Sequence, residues 1–249
     1  MLAYAAHGPL DAPVVLLGSS LGTTGAMWAP QVAALRDQFR VVAFDHRGHG
    51  GSPVPPGPYT IEDLGHDVVA LLDELGLERV HYAGLSLGGM VGMWLAAHAP
   101  QRVDRLALLC TAAHLPPATG WHERAATVRA AGMSAVADAV VARWFTPAFN
   151  PTDVAGFTKA LVAINPEGYA GCCEAIAAMD LRPVLSRITA PTLVIAGEAD
   201  PATPPPLLQA IVDAVGDAEL ALLPDAAHLA NVEQADRVTD LLRRHFTAG

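Results

Sequence analysis

Along the chain, short unbroken apolar runs alternate with longer stretches in which apolar positions return every three to four residues. The short runs are Val14–Leu17, Val41–Phe44, Val80–Ala83, Leu106–Leu109, Leu193–Ala196 and Leu220–Leu223. The longer stretches include Ile61–Leu75, Met90–Ala97 and Leu207–Val215. Runs that are apolar throughout, rather than at alternate positions, fit strands covered on both faces. Their alternation with helical stretches predicts an α/β domain built on a mostly parallel, doubly wound central sheet.

The rhythm changes between about Leu115 and Met179. Here the pattern predicts successive helices over Gly120–Gly132, Ser134–Trp144, Thr152–Ile164 and Pro166–Met179, punctuated by Pro147, Pro151 and Pro166. Strand pattern resumes only at Leu193. The expected organisation is therefore a core of residues 1–114 and 180–249 with a helical cap of residues 115–179. Such an insertion belongs over the carboxyl edge of the sheet, where open α/β folds bind ligands; the plainer alternative is that these helices only cover a sheet face.

Composition narrows the field. A chain of 249 residues holds one large α/β domain or two small ones, and 52% hydrophobic with 16% charged residues marks it as folded. No apolar stretch approaches the roughly 18 residues that span a bilayer, so no membrane partner is expected. Met1–Pro13 lacks a charged n-region and an apolar h-region, which points to a cytoplasmic protein. The net charge of −10 argues against nucleic acid, which needs a basic face. It would also repel an anionic small molecule unless local arginines reverse the field at the site. Cys110, Cys172 and Cys173 fit neither a zinc site nor a disulfide framework and read as reduced thiols in or near the core.

The strongest chemical signal is Gly84-Leu85-Ser86-Leu87-Gly88-Gly89, a G-x-S-x-G motif preceded by a predicted strand and followed by a predicted helix. In that context Ser86 sits on a strained turn that lifts its hydroxyl above the sheet. The Leu87 N–H then lies at a helix N-terminus, ready to donate to an oxyanion. A serine needs a base. Of ten histidines, His228 follows the last predicted strand, in Pro224-Asp225-Ala226-Ala227-His228. The orienting acid should lie between the two, after an earlier strand, and Asp200 at the turn before Pro201 fits best; Glu198 and Asp225 are rivals. The order Ser…Asp…His is that of the α/β-hydrolase fold. The second oxyanion donor is expected after Val14–Leu17, at the Leu21 N–H. Many chains of this fold carry His-Gly there, where this one has Ser19-Ser20. The loop Asp45–Ser52, with His46 and His49, reads as a structural hydrogen-bonded set, since no ligand motif completes a metal site.

With these residues placed, the chain resembles 3-oxoadipate enol-lactonases of the α/β-hydrolase fold. The resemblance runs through Ser19–Thr23 with Met27-Trp28, Asp45–Ser52, Tyr59–Leu64 and Gly84–Met90. It continues in Trp121–Arg129, Arg143–Pro147, Pro166–Tyr169 with Cys172-Cys173, Met179–Arg182 and Ala226–Asn231. The helical-insertion segments are the more specific ones. The resemblance implies a cofactor-free and metal-free hydrolysis of an anionic lactone to 3-oxoadipate in the degradation of aromatic compounds, through a Ser86 acyl-enzyme. The substrate carboxylate needs a cation, and Arg124 and Arg129 are the candidates, against a reading of both as a solvated helix face. Trp121 and Trp144 are candidate pocket walls, or else core. The rival readings are an esterase or lactonase with another substrate and a non-enzymatic ligand receptor on the same scaffold. Dehalogenase chemistry is disfavoured because it needs a carboxylate where this chain has Ser86.

Overall fold

The computed structural model describes residues 1–248. One sheet holds β1 (Tyr4–His7), β2 (Val14–Gly18), β3 (Arg40–Phe44), β4 (Val80–Leu85), β5 (Val103–Leu109), β6 (Thr192–Gly197) and β7 (Ala218–Leu223), in the order β1-β3-β2-β4-β5-β6-β7. β1 runs antiparallel to β3, and every other neighbouring pair is parallel. The apolar runs read from the sequence are β2 to β7. The strand that pattern missed, β1, is exposed at all four positions and carries no burial signal. β4 and β6 are buried at every position, as strands covered on both faces must be.

The helices are α1 (Ala29–Leu35), α2 (Ile61–Glu74), α3 (Leu87–His98), α4 (Ala118–Ala131), α5 (Ala137–Val141), α6 (Pro151–Val162), α7 (Pro166–Ala178), α8 (Pro205–Ala214), α9 (Ala230–Glu233) and α10 (Ala235–Thr247). α2 opens with a capping box between Thr60 and Asp63 and buries Leu64, Val68 and Leu71 on one face. α3 is buried from Leu87 to Ala97, as the apolar stretch from Met90 leads one to expect.

Helices α4 to α7 lie between β5 and β6. An antiparallel bridge joins His114 to Asp180, and the Leu181 N–H donates to the Ala113 carbonyl at 2.8 Å, so the chain leaves and re-enters the core at adjacent points. α6 and α7 start sharply because Asn150 and Asn165 accept from the first free N–H groups and a proline follows each. The expected single helix over Ser134–Trp144 is instead a 3-10 turn at Met133–Ala135, the short α5, and tight turns. The Arg143 and Trp144 N–H groups bond to carbonyls three residues back, and the Trp144 carbonyl accepts from the Leu229 N–H at 2.9 Å instead of continuing a helix. No helix among the described residues is long and apolar enough to cross a membrane.

Candidate active site

Ser86 is the single residue between β4 and α3, with φ 56° and ψ −113°. That is a strained backbone for a residue with a Cβ, and it is held by its surroundings. The Ser86 N–H donates to the Leu109 carbonyl at 2.9 Å, and the Thr111 hydroxyl donates to the Ser86 carbonyl at 2.8 Å. The flanking glycines are required by packing. A Cβ at Gly84 would lie 2.2 Å from the Gly88 carbonyl oxygen, and one at Gly88 would lie 2.2 Å from that of Gly18.

The loop after β2 is tied to this turn. The Ser19 carbonyl accepts from the Gly88 N–H and from His46 Nε2, each at 3.0 Å. The Ser20 N–H is taken by Met27 Sδ, and the Gly22 N–H donates to His49 Nε2 at 3.0 Å. The N–H of Leu21, between them, has no acceptor among the described residues, and neither has that of Leu87 at the start of α3. Both positions are those read from the sequence as oxyanion donors. His46 and His49 serve this loop as neutral rings. Burial and then His49 lower His46 to about 3, and burial lowers His49 to about 4. Since His49 Nδ1 faces the Arg47 carbonyl at 3.2 Å, its Nε2 is the acceptor.

His228 and Asp200 meet as the spacing predicts. His228 Nδ1 lies 2.8 Å from Asp200 Oδ2, with both side chains buried. Asp200 also accepts from the Thr203 hydroxyl at 2.7 Å and from the N–H groups of Ala202 and Thr203. Burial pushes the Asp200 carboxyl up, but His228 and Thr203 outweigh it and hold it below its ordinary value. The rivals Glu198 and Asp225 are exposed. The histidine loop is clamped on both sides of His228. The Ala227 N–H donates to Glu233 Oε2 at 2.7 Å, and the Leu229 N–H to the Trp144 carbonyl.

Ser86, His228 and Leu21 face a cavity with about 490 Å³ of empty space, part of it open to solvent. The insertion supplies its far wall through Trp121, Arg124, Arg143, Trp144 and Tyr169, and no carboxylate among the described residues lines it. The Arg124 guanidinium stacks on Trp121, 4.6 Å from the ring centroid, and Arg143 Nε donates to the Ala139 carbonyl at 3.2 Å. Neither arginine forms an ion pair among the described residues. Burial, then the charge of Arg124, lowers Arg143 from its ordinary value. The Tyr169 hydroxyl is buried without a hydrogen-bond partner.

Arg129 requires a correction. It does not line the cavity; its guanidinium is held by Glu167 and Glu174, at 2.8 Å and 2.5 Å, on the outside of the paired α4 and α7. Both acids lie far along the chain in another helix, so the sequence offered no sign of the pairing. Arg143 and Tyr169, by contrast, were not read as site residues. The available signal for Arg143 was its place beside Trp144 in the insertion.

The fold agrees with the comparisons to known proteins. The model of the α/β-hydrolase fold matches residues 13–153. The chain belongs to the α/β-hydrolase family. Within it, the chain is 42% identical to 3-oxoadipate enol-lactonase 2 of Acinetobacter baylyi, over 94% of this chain and 88% of that protein. The crystal structure of the enol-lactonase from Burkholderia xenovorans LB400 superposes with a TM-score of 0.97 at 44% identity, covering 99% of this chain and 96% of that one. A protein of Variovorax paradoxus, provisionally named carbamate hydrolase RutD, is 36% identical over 94% of this chain and 91% of its own length. The resemblance to enol-lactonases thus extends over most of the chain, and its class is that of a hydrolase.

Proposed function

We propose that the protein hydrolyses 3-oxoadipate enol-lactone to 3-oxoadipate, with Ser86, His228 and Asp200 as its catalytic triad. His228 takes the proton of Ser86 as the Ser86 Oγ attacks the lactone carbonyl. Asp200 holds the imidazole through Nδ1 and stabilises the imidazolium. The N–H groups of Leu21 and Leu87 receive the oxyanion. Collapse of the tetrahedral adduct breaks the ring C–O bond, and the enol leaves as the tethered end of the acyl group. An enol is a better leaving group than an alkoxide, so it asks less of a general acid. It tautomerises to the ketone, and a water activated by His228 releases the acid from Ser86.

The observation that carries the choice of substrate is the pair Arg124 and Arg143, two guanidiniums that, among the described residues, have no ion-pair partner and share the cavity wall with no carboxylate. In a chain of net charge −10, this pair makes the site locally cationic and suited to a substrate carboxylate. The similarity to a provisionally named carbamate hydrolase supports a second reading, in which the same triad cleaves a carbamate.

A ring-opening assay on the enol-lactone, run beside a carbamate and simple neutral esters, separates the two. The expected result is fastest turnover of the enol-lactone and a loss of at least about 1,000-fold in kcat for Ser86→Ala. Faster turnover of the carbamate, or a nearly active Ser86→Ala, overturns the reading.

A further inference from the structure

The cavity beside Ser86 ends against Trp144, and that residue borders a second space. It also lines a groove of about 1180 Å³, open to solvent, between α6 and the segment from Gly22 through the start of α1. Among the described residues, Trp144 is the only one common to the two linings. The linings differ in chemistry. The cavity carries Arg124 and Arg143, whereas the groove is walled by Met27, Pro30, Phe149, Phe157 and Val232, with Asp153 as its one charge.

Trp144 is fixed as a wall. Its carbonyl is bound by the Leu229 N–H, its ring meets Phe157 edge-on at 6.3 Å, and the residue is 3% exposed. A Cβ at Gly22 would lie 3.7 Å from Cζ2 of the indole, with Leu161 Cδ1 at 2.5 Å and Tyr169 Cε2 at 3.1 Å beside it, so Trp144 packs with these two side chains against Gly22. Gly22 immediately follows Leu21, whose N–H is free to bind the oxyanion. The partition therefore stands one residue from the reacting centre.

We propose that Trp144 determines chain-length specificity: it closes the cavity off from the apolar groove and confines the site to compact, charged substrates. Where the indole is cut back, the two spaces join into one slot that leads a straight aliphatic chain of an ester from Ser86 out along α6. This rests on the hydrolase reading of the Ser86 site.

The groove supplies its own control. A Cβ at Gly156, on the groove side of α6, would meet nothing within 4 Å, so a larger side chain can begin there, and a leucine is the variant chosen to occupy the groove. The experiment measures kcat/KM for acetyl and octanoyl p-nitrophenyl esters, and for methyl and octyl acetates, in the wild-type protein, Trp144→Leu, Trp144→Phe, Gly156→Leu and the double variant Trp144→Leu/Gly156→Leu. Trp144→Phe withdraws only part of the indole and keeps the aromatic packing should Trp144→Leu fail to fold.

The expected result is a rise of at least about tenfold in the long-to-short ratio of one ester series for Trp144→Leu, the scale on which apolar pockets discriminate methylenes. The same series should rise by less for Trp144→Phe, return to the wild-type ratio in the double variant, and stay unchanged in Gly156→Leu. Folded Trp144 variants that hydrolyse the short esters with wild-type ratios in both series overturn the proposal. So does a raised ratio that Gly156→Leu fails to reverse. Failure of the hydrolase reading has a different signature: no turnover of the short esters by the wild-type protein above that of Ser86→Ala.

Discussion

Glu233 Oε2 accepts the Ala227 N–H at 2.7 Å, one residue before His228, while Oε1 accepts the Thr146 N–H at 2.8 Å and the Thr146 hydroxyl. One carboxylate thus joins the histidine loop to the insertion. Glu233→Ala leaves two N–H groups without their acceptor and should cost about 1–3 kcal/mol of stability. Because it loosens the base rather than the cavity, kcat should fall more than KM rises. An unchanged kcat in a folded Glu233→Ala enzyme would show that the clamp does not position His228.

Asp200→Asn keeps the shape of the acid but reverses the hydrogen bonding toward His228 Nδ1, now 2.8 Å from a carboxylate oxygen. The expected loss in kcat is about 10³–10⁴-fold, as when a triad carboxylate becomes an amide. Glu198→Gln, an exposed change, should leave kcat as it is. Equal losses from the two would remove Asp200 from the triad.

Arg143→Ala and Arg124→Ala should each raise KM for an anionic lactone, by about 10–100-fold if a charge-assisted hydrogen bond of about 1.5–3 kcal/mol is lost. Neutral acetate esters should be affected much less. Arg129→Ala should leave KM unchanged, since its guanidinium is engaged by Glu167 and Glu174 away from the cavity. Parallel KM increases for charged and neutral substrates would indicate a packing role for these arginines instead.

Gly88→Ala sets two effects against each other. Alanine improves helix propensity by about 1 kcal/mol. Its Cβ, however, would lie 2.2 Å from the Gly18 carbonyl oxygen, in backbone that cannot step aside. The clash should win, with a net loss of at least about 2 kcal/mol. A denaturant midpoint equal to or above that of the wild-type protein would contradict the close approach.

Stability should fall as pH falls from about 6.5 toward 5. Burial is the leading cause that lowers His46 to about 3 and His49 and His245 to about 4, from an ordinary value of 6.5. In that window the unfolded chain protonates these rings and the folded chain does not. The unfolded state therefore binds more protons and gains with acid, with a limiting slope of about 1.4 kcal/mol per pH unit for each histidine. Urea unfolding followed at pH 7, 6 and 5 reads this directly, and a flat or opposite trend counts against neutral buried rings.

The parts of this molecule legible in its sequence are those in which a local pattern carries its own physical meaning. Continuous apolar runs marked β2 to β6, because the stretch of a strand that is covered on both faces carries few polar residues; β7 was marked by the same kind of run although it lies at the far edge with Leu222 exposed. Gly84-x-Ser86-x-Gly88 marked the turn, because only glycine permits the backbone contacts around a strained serine. Ser86, Asp200 and His228 could be ordered along the chain because each follows a strand of a parallel sheet, whose carboxyl ends gather on one edge.

What depended on packing between distant segments was decided only by the tertiary structure. β1 shows no pattern because it pairs at an exposed edge. Arg129 and Arg143 are both arginines of the insertion. Nothing local distinguishes the one that finds Glu167 and Glu174 on a neighbouring helix from the one left facing the cavity beside Arg124. The place of Trp144 in the linings of both the cavity and the groove is of the same kind. A tryptophan in sequence is simply apolar, and which spaces it borders depends on what the fold brings around it.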